Sequence, residues 1–267
     1  MLCAALPARS LDFTLGEGTE AIMTVAWDPE GAEGTALHAM VDLQGKTVLE
    51  IGCGDGRLTW RYAPLAARVT AIDPDSAAIA AAQEDCPDDL RAKVEFLALN
   101  LNDYAARAAG VKFDVALFSW SLCCLEDDEM VQALEICKDF LNPGGRVLNI
   151  QPVGKPRALE MHLDGAITLA GLTAHRLDFA GQKASLRALE HVVKDGLFVL
   201  ERERSIPFHY HAPSFRAMRD WISENMTNTI LDDETARRAR ELQSSSQGAG
   251  DWILREELVF SLLKPVS

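Results

Sequence analysis

Basic residues are in short supply: 26 Lys and Arg stand against 40 Asp and Glu in 267 residues, a formal net charge of -14. Nucleic-acid affinity rests largely on Lys and Arg neutralising phosphates, so an extended phosphate-binding surface is disfavoured. The local cluster Arg237, Arg238 and Arg240 reads as a solvated helix face. No apolar run approaches the roughly 18 to 20 residues of a membrane-crossing helix, and no membrane partner is expected. Met1 to Arg9 lacks a basic n-region and is broken at Pro7, which makes a poor signal peptide. Cysteines number six, with no C-x-x-C pair and no His partner at zinc-site spacing, so no metal is expected. Cys123 and Cys124 lie in an apolar run and read as small buried hydrophobes. Reduced thiols in a cytoplasmic compartment follow.

What is present is ordinary globular composition, 48% apolar and 25% charged, in a length that suits one α/β domain with an elaboration. The organising stretch is Thr47 to Thr59. Thr47, Val48, Leu49, Glu50 and Ile51 form a short β-branched apolar run that stops in Gly52-Cys53-Gly54-Asp55-Gly56. A buried strand, a glycine turn and a helix starting near Arg57 are the economical reading. Three glycines let backbone approach a ligand without Cβ atoms in the way, and the following helix start offers unpaired amides. A second run, Val69 to Ile72, ends in Asp73, 21 residues after Gly52. That is close to the spacing of roughly 20 at which an acid on the next strand accepts from a ribose. The pair predicts a nucleoside site. The sixth position of G-x-G-x-x-G is Arg57, not glycine or alanine, which argues against a nicotinamide dinucleotide.

The stretch resembles the first motif of class I S-adenosylmethionine-dependent methyltransferases, an acid followed by G-x-G-x-G, here Glu50, Gly52, Gly54 and Gly56. The resemblance implies a Rossmann-like, doubly wound α/β fold: a seven-stranded sheet, mostly parallel with an antiparallel last strand, and helices on both faces. It implies S-adenosyl-L-methionine as cofactor, held by Glu50, Gly52, Cys53, Gly54, Asp55 and Gly56, with Asp73 and Pro74 at the ribose. At the end of strand three the family presents an Asp to the adenine amino group. Here that position is Asn100, whose side-chain oxygen also accepts, with Leu101 following and Asp103 read as the cap of the next helix. Ser119 and Trp120, after the strand Phe113 to Phe118, match the family's fourth motif beside the methyl group. Neither a [DN]-P-P-[YFW] run nor a Pro-Cys nucleophile is present, which disfavours amino-methylating enzymes of DNA bases or glutamine and the cytosine C5 enzymes. Leu-Asn-Pro-Gly-Gly-Arg-Val resembles the family's approach to strand five.

Residues 1–45 read as an N-terminal cover segment with a helix near Ala36 to Leu43, and 46–267 as the methyltransferase domain. Met23 and Trp27 either pack on the ligand or seal the core edge, with Trp27 a substrate-side candidate beside Trp120. Ser76 to Glu84 and the helix carrying Met130, Leu134, Cys137 and Leu141 complete the alternation. Beyond Gln151, two helical elaborations are expected, 151–190 with helices over Leu159 to Leu172 and Ser185 to Lys194, and 213–246. They form either a substrate lid or surface decoration. Leu197 to Pro207 predicts strand six, or else one arm of a hairpin turned at Asp195-Gly196. Trp252 to Leu263 predicts the last strand. His209, Tyr210 and His211 are either a catalytic base cluster or an exposed strand end.

The reading is a methyltransferase acting by direct in-line transfer on a small-molecule acceptor. Its rivals are a non-catalytic S-adenosylmethionine-binding regulatory protein and a protein or tRNA methyltransferase. Acceptor atom and oligomeric state are not legible.

Overall fold

The structure, a computed structural model, describes residues 25–266; Met23 lies outside the described residues. Alternating segments build the sheet in the anticipated order. β1 (Ala26–Trp27) and α1 (Ala32–Met40) precede β2 (Thr47–Ile51), α2 (Thr59–Tyr62), β3 (Arg68–Asp73), α3 (Ser76–Glu84), β4 (Val94–Ala98), α4 (Leu101–Arg107), β5 (Phe113–Ser119), α5 (Glu129–Asp139) and β6 (Leu141–Pro152). The run β4-β3-β2-β5-β6 is parallel throughout. Its strands are apolar on both faces because helices cover both, as βαβ crossovers require. Val48 and Val69 face one core with Leu37, Leu58 and Ile79; Leu49, Ile51 and Ile72 face the other with Tyr104, Leu134 and Val192.

The second half departs from the sequence reading first at the stretch read as its leading helix. Residues Leu159 to Leu172 are not a helix but a hairpin, β7 (Ala158–Leu163) and β8 (Ala166–Leu172). Its two-residue turn is Asp164-Gly165, with φ of 50° and 79°, the left-handed pair a type I′ hairpin needs. The Asp-Gly signal lay in the sequence, outweighed by the leucine-rich helix propensity around it. Beyond β9 (Ala174–His175) come α6 (Ala180–Lys194), β10 (Phe198–Ala212), α7 (Phe215–Asn225), β11 (Thr229–Ile230), α8 (Asp233–Ser245) and β12 (Asp251–Pro265). Gly196 ends α6 at a φ of 72°, a role that suits a C-terminal glycine, so no hairpin turns there.

β12 runs antiparallel between β6 and β10, completing the expected seven strands. β1 adds to the β10 edge and the β7–β8 hairpin hangs on β12, so the sheet reaches ten strands. An irregularity between Leu200 and Arg202 shifts the alternation of β10 by one residue. Phe198 therefore faces the α6 core, whereas Ile206, Phe208 and Tyr210 face the α1 core. The structural consequence is an overhang. Only Leu258 to Leu263 of β12 pair with β6, and Asp251 to Arg255 continue past Pro152 to pair with β7. That extension, with α7 packed on it, stands above the carboxyl ends of the parallel strands, where open α/β sheets bind ligands.

Candidate active site

The glycine turn is tied to the next strand by backbone. The Gly52 and Cys53 amides both donate to the Ile72 carbonyl, at 2.8 and 3.1 Å. Gly54 N donates to Asp73 Oδ2 at 2.9 Å, and Asp75 N donates to Asp73 Oδ1 at 2.8 Å. Asp75 in turn caps α3 by accepting from the amides of Ala77 and Ala78. The three glycines serve different ends. A Cβ on Gly52 would fall 2.3 Å from the Ser121 Cβ, and one on Gly56 would fall 2.6 Å from the Trp60 ring, so the protein's own side chains exclude larger residues there. A Cβ on Gly54 would meet nothing within 4 Å. The space beside Gly54 is open, and the Gly54 amide is the one bonded to Asp73.

Glu50 does not reach that space. It is buried, and its Oε2 accepts from the Thr59 hydroxyl at 2.6 Å and the Tyr62 hydroxyl at 2.7 Å. Burial pushes its carboxyl up to about 7, against these two hydrogen bonds. Its place is beneath the turn, joining β2 to α2. Cys53 is also buried, and burial, with the charges of Glu50 and Asp73, pushes its thiol well up, so it is no nucleophile. Ser121, which sequence reasoning passed over, donates to the Ile51 carbonyl at 2.5 Å and wedges against Gly52.

On the far rim Asn100 is exposed and caps α4: its Oδ1 accepts from Asp103 N at 2.8 Å and its Nδ2 donates to Asp103 Oδ2 at 2.9 Å. The expected capping is thus reversed, with Asn100 the cap and Asp103 the residue capped, because Asn100 is the residue with extended backbone at the helix start. Leu101 is buried at the first position of α4, and Pro74 lies exposed beside Asp73.

The opposite wall centres on a residue with no sequence signal. Glu33, on α1, has a side chain only 1% exposed and pairs with Arg57 at 2.5 Å. Its Oε1 also accepts from the Trp120 indole at 2.8 Å and lies 3.4 Å from the Ser119 hydroxyl. The Arg57 guanidinium sits 5.8 Å from the Trp27 ring centroid and 6.0 Å from that of Trp120, within cation–π range. Burial acts to lower the Arg57 pKa, but the charge of Glu33 and its hydrogen bond reverse the sign and raise it. Trp120 holds a left-handed backbone, φ 59°, which costs a bulky residue of order 1–3 kcal/mol and is tolerated where neighbours over-determine it. Its amide donates to Ile150 O at 2.7 Å and its ring meets Phe208 edge-on. Trp27, opposite Tyr210 in the β1–β10 register, packs edge-on against Tyr210 and Trp221. Trp27, Ser119 and Trp120 all lie around the Glu33–Arg57 pair, and Arg57 points into the wall they make.

His209, Tyr210 and His211 do not form one cluster. Strand alternation on β10 sends Tyr210 to the opposite face from the two histidines. The Tyr210 hydroxyl is buried and donates to Glu256 Oε2 at 3.1 Å, while Arg157 pairs with Glu256 at 2.6 Å. Burial and the Glu256 charge hold its hydroxyl pKa well above the usual range, which unsuits it as a base near neutrality. His209 and His211 instead meet Glu30. Cys123 and Cys124 are half-buried in a single helical turn and not core residues.

Residues 49–147 match the family described as "Methyltransferase domain". A ubiquinone biosynthesis O-methyltransferase of Xanthomonas oryzae pv. oryzae is 30% identical over 172 residues, 57% of this chain and 68% of that protein. Among solved structures, an N-methyltransferase, NodS of Bradyrhizobium japonicum in complex with S-adenosylhomocysteine, is similar at a TM-score of 0.50 and 14% identity, over 90% of this chain and 89% of that one. A methyltransferase of Geobacter sulfurreducens, also in complex with S-adenosylhomocysteine, gives 0.50 and 16% over 89% and 91%. These two likenesses concern the fold. The chain belongs to the class I S-adenosylmethionine-dependent methyltransferases. It is an enzyme of that class, and its cofactor is S-adenosylmethionine.

Proposed function

We propose that the chain methylates a small-molecule acceptor by direct in-line transfer, with the cofactor lying across the Gly54–Asp73 crevice. The observation that carries this reading is the open space at Gly54, whose amide is bonded to the Asp73 carboxylate, at the end of a strand flanked by β3, which ends in Asp73, and by β5, which leads into Trp120 and the Arg57 guanidinium beside it. S-adenosylmethionine supplies a methyl group on a sulfonium. Gly52 to Gly56 would seat its amino-acid end, Asp73 and Pro74 its ribose, and Asn100 and Leu101 its adenine. Each Asp73 oxygen accepts one backbone amide, and a carboxylate offers about four acceptor sites, so both ribose hydroxyls still find acceptors.

Ser119 and Trp120 end the strand next to β2 and define where the acceptor meets the methyl. In a displacement of this type orientation alone contributes about 7–11 kcal/mol, and the aromatic wall supplies it by fixing the acceptor and excluding water. A dedicated base is not required: strand alternation turns His209 and His211 away from the wall, and Tyr210, which packs on Trp27, keeps its buried hydroxyl on Glu256. The described part of the cover segment, β1 and α1, contributes Trp27 and Glu33 to the enclosure. A wall built of indoles suits a small apolar or aromatic acceptor, and the relative named for ubiquinone biosynthesis is consistent with that class.

The test is incubation of the protein with methyl-labelled cofactor and fractionated cell extract. Label in the low-molecular-weight fraction is the expected result. Label confined to protein or tRNA would replace the small-molecule reading with the macromolecular one, and binding without transfer would refute turnover on a small molecule.

A further inference from the structure

The removal of His209 and His211 from the crevice leaves them with other chemistry. They stand two apart on β10, so a strand's period of two puts both rings on one face, with ring centroids 6.0 Å apart. Glu30, in the turn between β1 and α1, reaches the same face. Its Oε1 lies 3.2 Å from His209 Nδ1 and 2.8 Å from His211 Nε2. The three ligand atoms all fall within 4.8 Å of one another. An ion bonded at about 2.0–2.2 Å to imidazole nitrogen and carboxylate oxygen holds such donors roughly 3.0–3.4 Å apart at tetrahedral or octahedral angles, close to the two separations that Glu30 makes with the rings.

We propose that Glu30, His209 and His211 form a binding site for one divalent transition-metal ion of the zinc type. Two imidazoles and one carboxylate favour zinc and its first-row neighbours over magnesium or calcium. Each neutral ring needs only a tautomer shift to present the required nitrogen, its proton moving to the other ring nitrogen. The side chains are 24%, 31% and 45% exposed for His209, His211 and Glu30, so water reaches the remaining coordination positions. The surrounding charge permits a cation. Glu30 is the carboxylate facing the two rings. Arg255, opposite His209 in the β10–β12 register, is held by Glu160 at 2.9 Å.

The ion would join the turn to the strand. Asp28 N already donates to the His209 carbonyl at 2.8 Å, and the Asp28 carboxylate accepts from the amides of Ala32 and Glu33. Fixing Glu30 therefore fixes the start of α1 and, three residues on, the Glu33 that pairs with Arg57 and Trp120. The site acts as a staple on the cover segment and lies outside the reacting centre.

The test uses the untagged full chain with zinc chloride, by titration calorimetry and by thermal melting with and without the ion. One equivalent binds, the melting temperature rises as selective binding to the folded state requires, and magnesium chloride does neither. His209→Ala and His211→Ala each weaken zinc binding by more than about tenfold, since even an outer partner of a metal ligand is worth that much. Glu30→Gln weakens it too, and His162→Ala binds as the parent. Melting in chelator establishes that each variant is folded before its binding is scored. Zinc binding weaker than about 0.1 mM in the parent, unchanged binding in both His209→Ala and His211→Ala, or loss of binding in His162→Ala would overturn the proposal.

Discussion

Gly54 and Asp73, 19 residues apart in sequence, are joined by a 2.9 Å hydrogen bond from the glycine amide to Asp73 Oδ2. The carboxylate proposed to clasp the ribose thus also holds down the loop that would seat the rest of the cofactor. One side chain serves both halves of the crevice, so its loss is felt twice: a charged acceptor for the sugar disappears, and the loop loses an anchor.

Asp73→Ala is expected to weaken S-adenosylmethionine binding by about 1.5–3 kcal/mol, the usual range for hydrogen bonds to a charged group. Asp73→Asn, which keeps one acceptor oxygen, falls between it and the parent. Calorimetric titration reads both. An Asp73→Ala protein that binds with parental affinity would remove the ribose assignment.

The glycines separate ligand space from protein space. Gly54→Val places its side chain in the open crevice, at a left-handed cost of roughly 1–2 kcal/mol, and is expected to leave a folded protein that no longer binds the cofactor. Gly56→Ala drives a Cβ to 2.6 Å from Trp60 and is expected to lower the urea midpoint instead. Retained binding in Gly54→Val would mean that the turn does not face ligand.

Much of this arrangement was legible because it is local. The run Thr47 to Gly56 and the spacing to Asp73 encode strands and turns within a few residues, and the structure returns β2 and β3 to within one residue; Asn142-Pro143-Gly144-Gly145, in contrast, falls inside β6 and does not precede it. Trp27 and Trp120, which the sequence offered as substrate-side candidates, both lie against the Arg57 guanidinium. Glu33 was not offered, because nothing in Ala32–Met40 marks a buried acid; its partners Arg57 and Trp120 are 24 and 87 residues away. The β7–β8 hairpin was missed for the opposite reason: its Asp164-Gly165 turn is a strong local signal, but β12, which it pairs with, begins 86 residues later. Propensity gave way to a distant partner. The His-Tyr-His run, open in the sequence between a base cluster and an exposed strand end, is split between two faces by strand alternation.

Glu50 makes stability depend on pH in a particular direction. Its carboxyl titrates near 4.5 when unfolded and is pushed to about 7 by burial when folded. The folded protein therefore holds the proton more tightly, and this contribution, complete below pH 4.5, is lost as pH rises through about 7. The full swing is on the order of 3 kcal/mol. Glu50→Gln keeps an oxygen to accept from Thr59 and Tyr62 but does not ionise, so its stability relative to the parent is expected to improve between pH 5 and pH 8. Urea midpoints at both pH values test this, and a constant difference between the two proteins would show that Glu50 does not titrate in that interval.

The Glu33–Arg57 pair is the last point at which structure and chemistry can be separated. Removing one partner of a buried pair leaves the other uncompensated, at about 3–5 kcal/mol when both are fully enclosed. The Arg57 side chain is 24% exposed, so solvent screens part of its charge and the expected loss for Glu33→Ala is smaller. Glu33→Ala also frees the Trp120 indole, whose left-handed backbone then has one restraint fewer. The double variant Glu33→Ala/Arg57→Ala is expected to recover part of the stability lost by Glu33→Ala alone, because the orphaned cation goes with its partner. A coupling of roughly 0.5–3 kcal/mol in that cycle would establish the pair as a unit. If the pair also shapes the acceptor wall, acceptor KM rises in both proteins while cofactor affinity, set across the crevice by Gly54 and Asp73, stays near the parental value. Equal losses of cofactor and acceptor binding would instead place Arg57 on the cofactor.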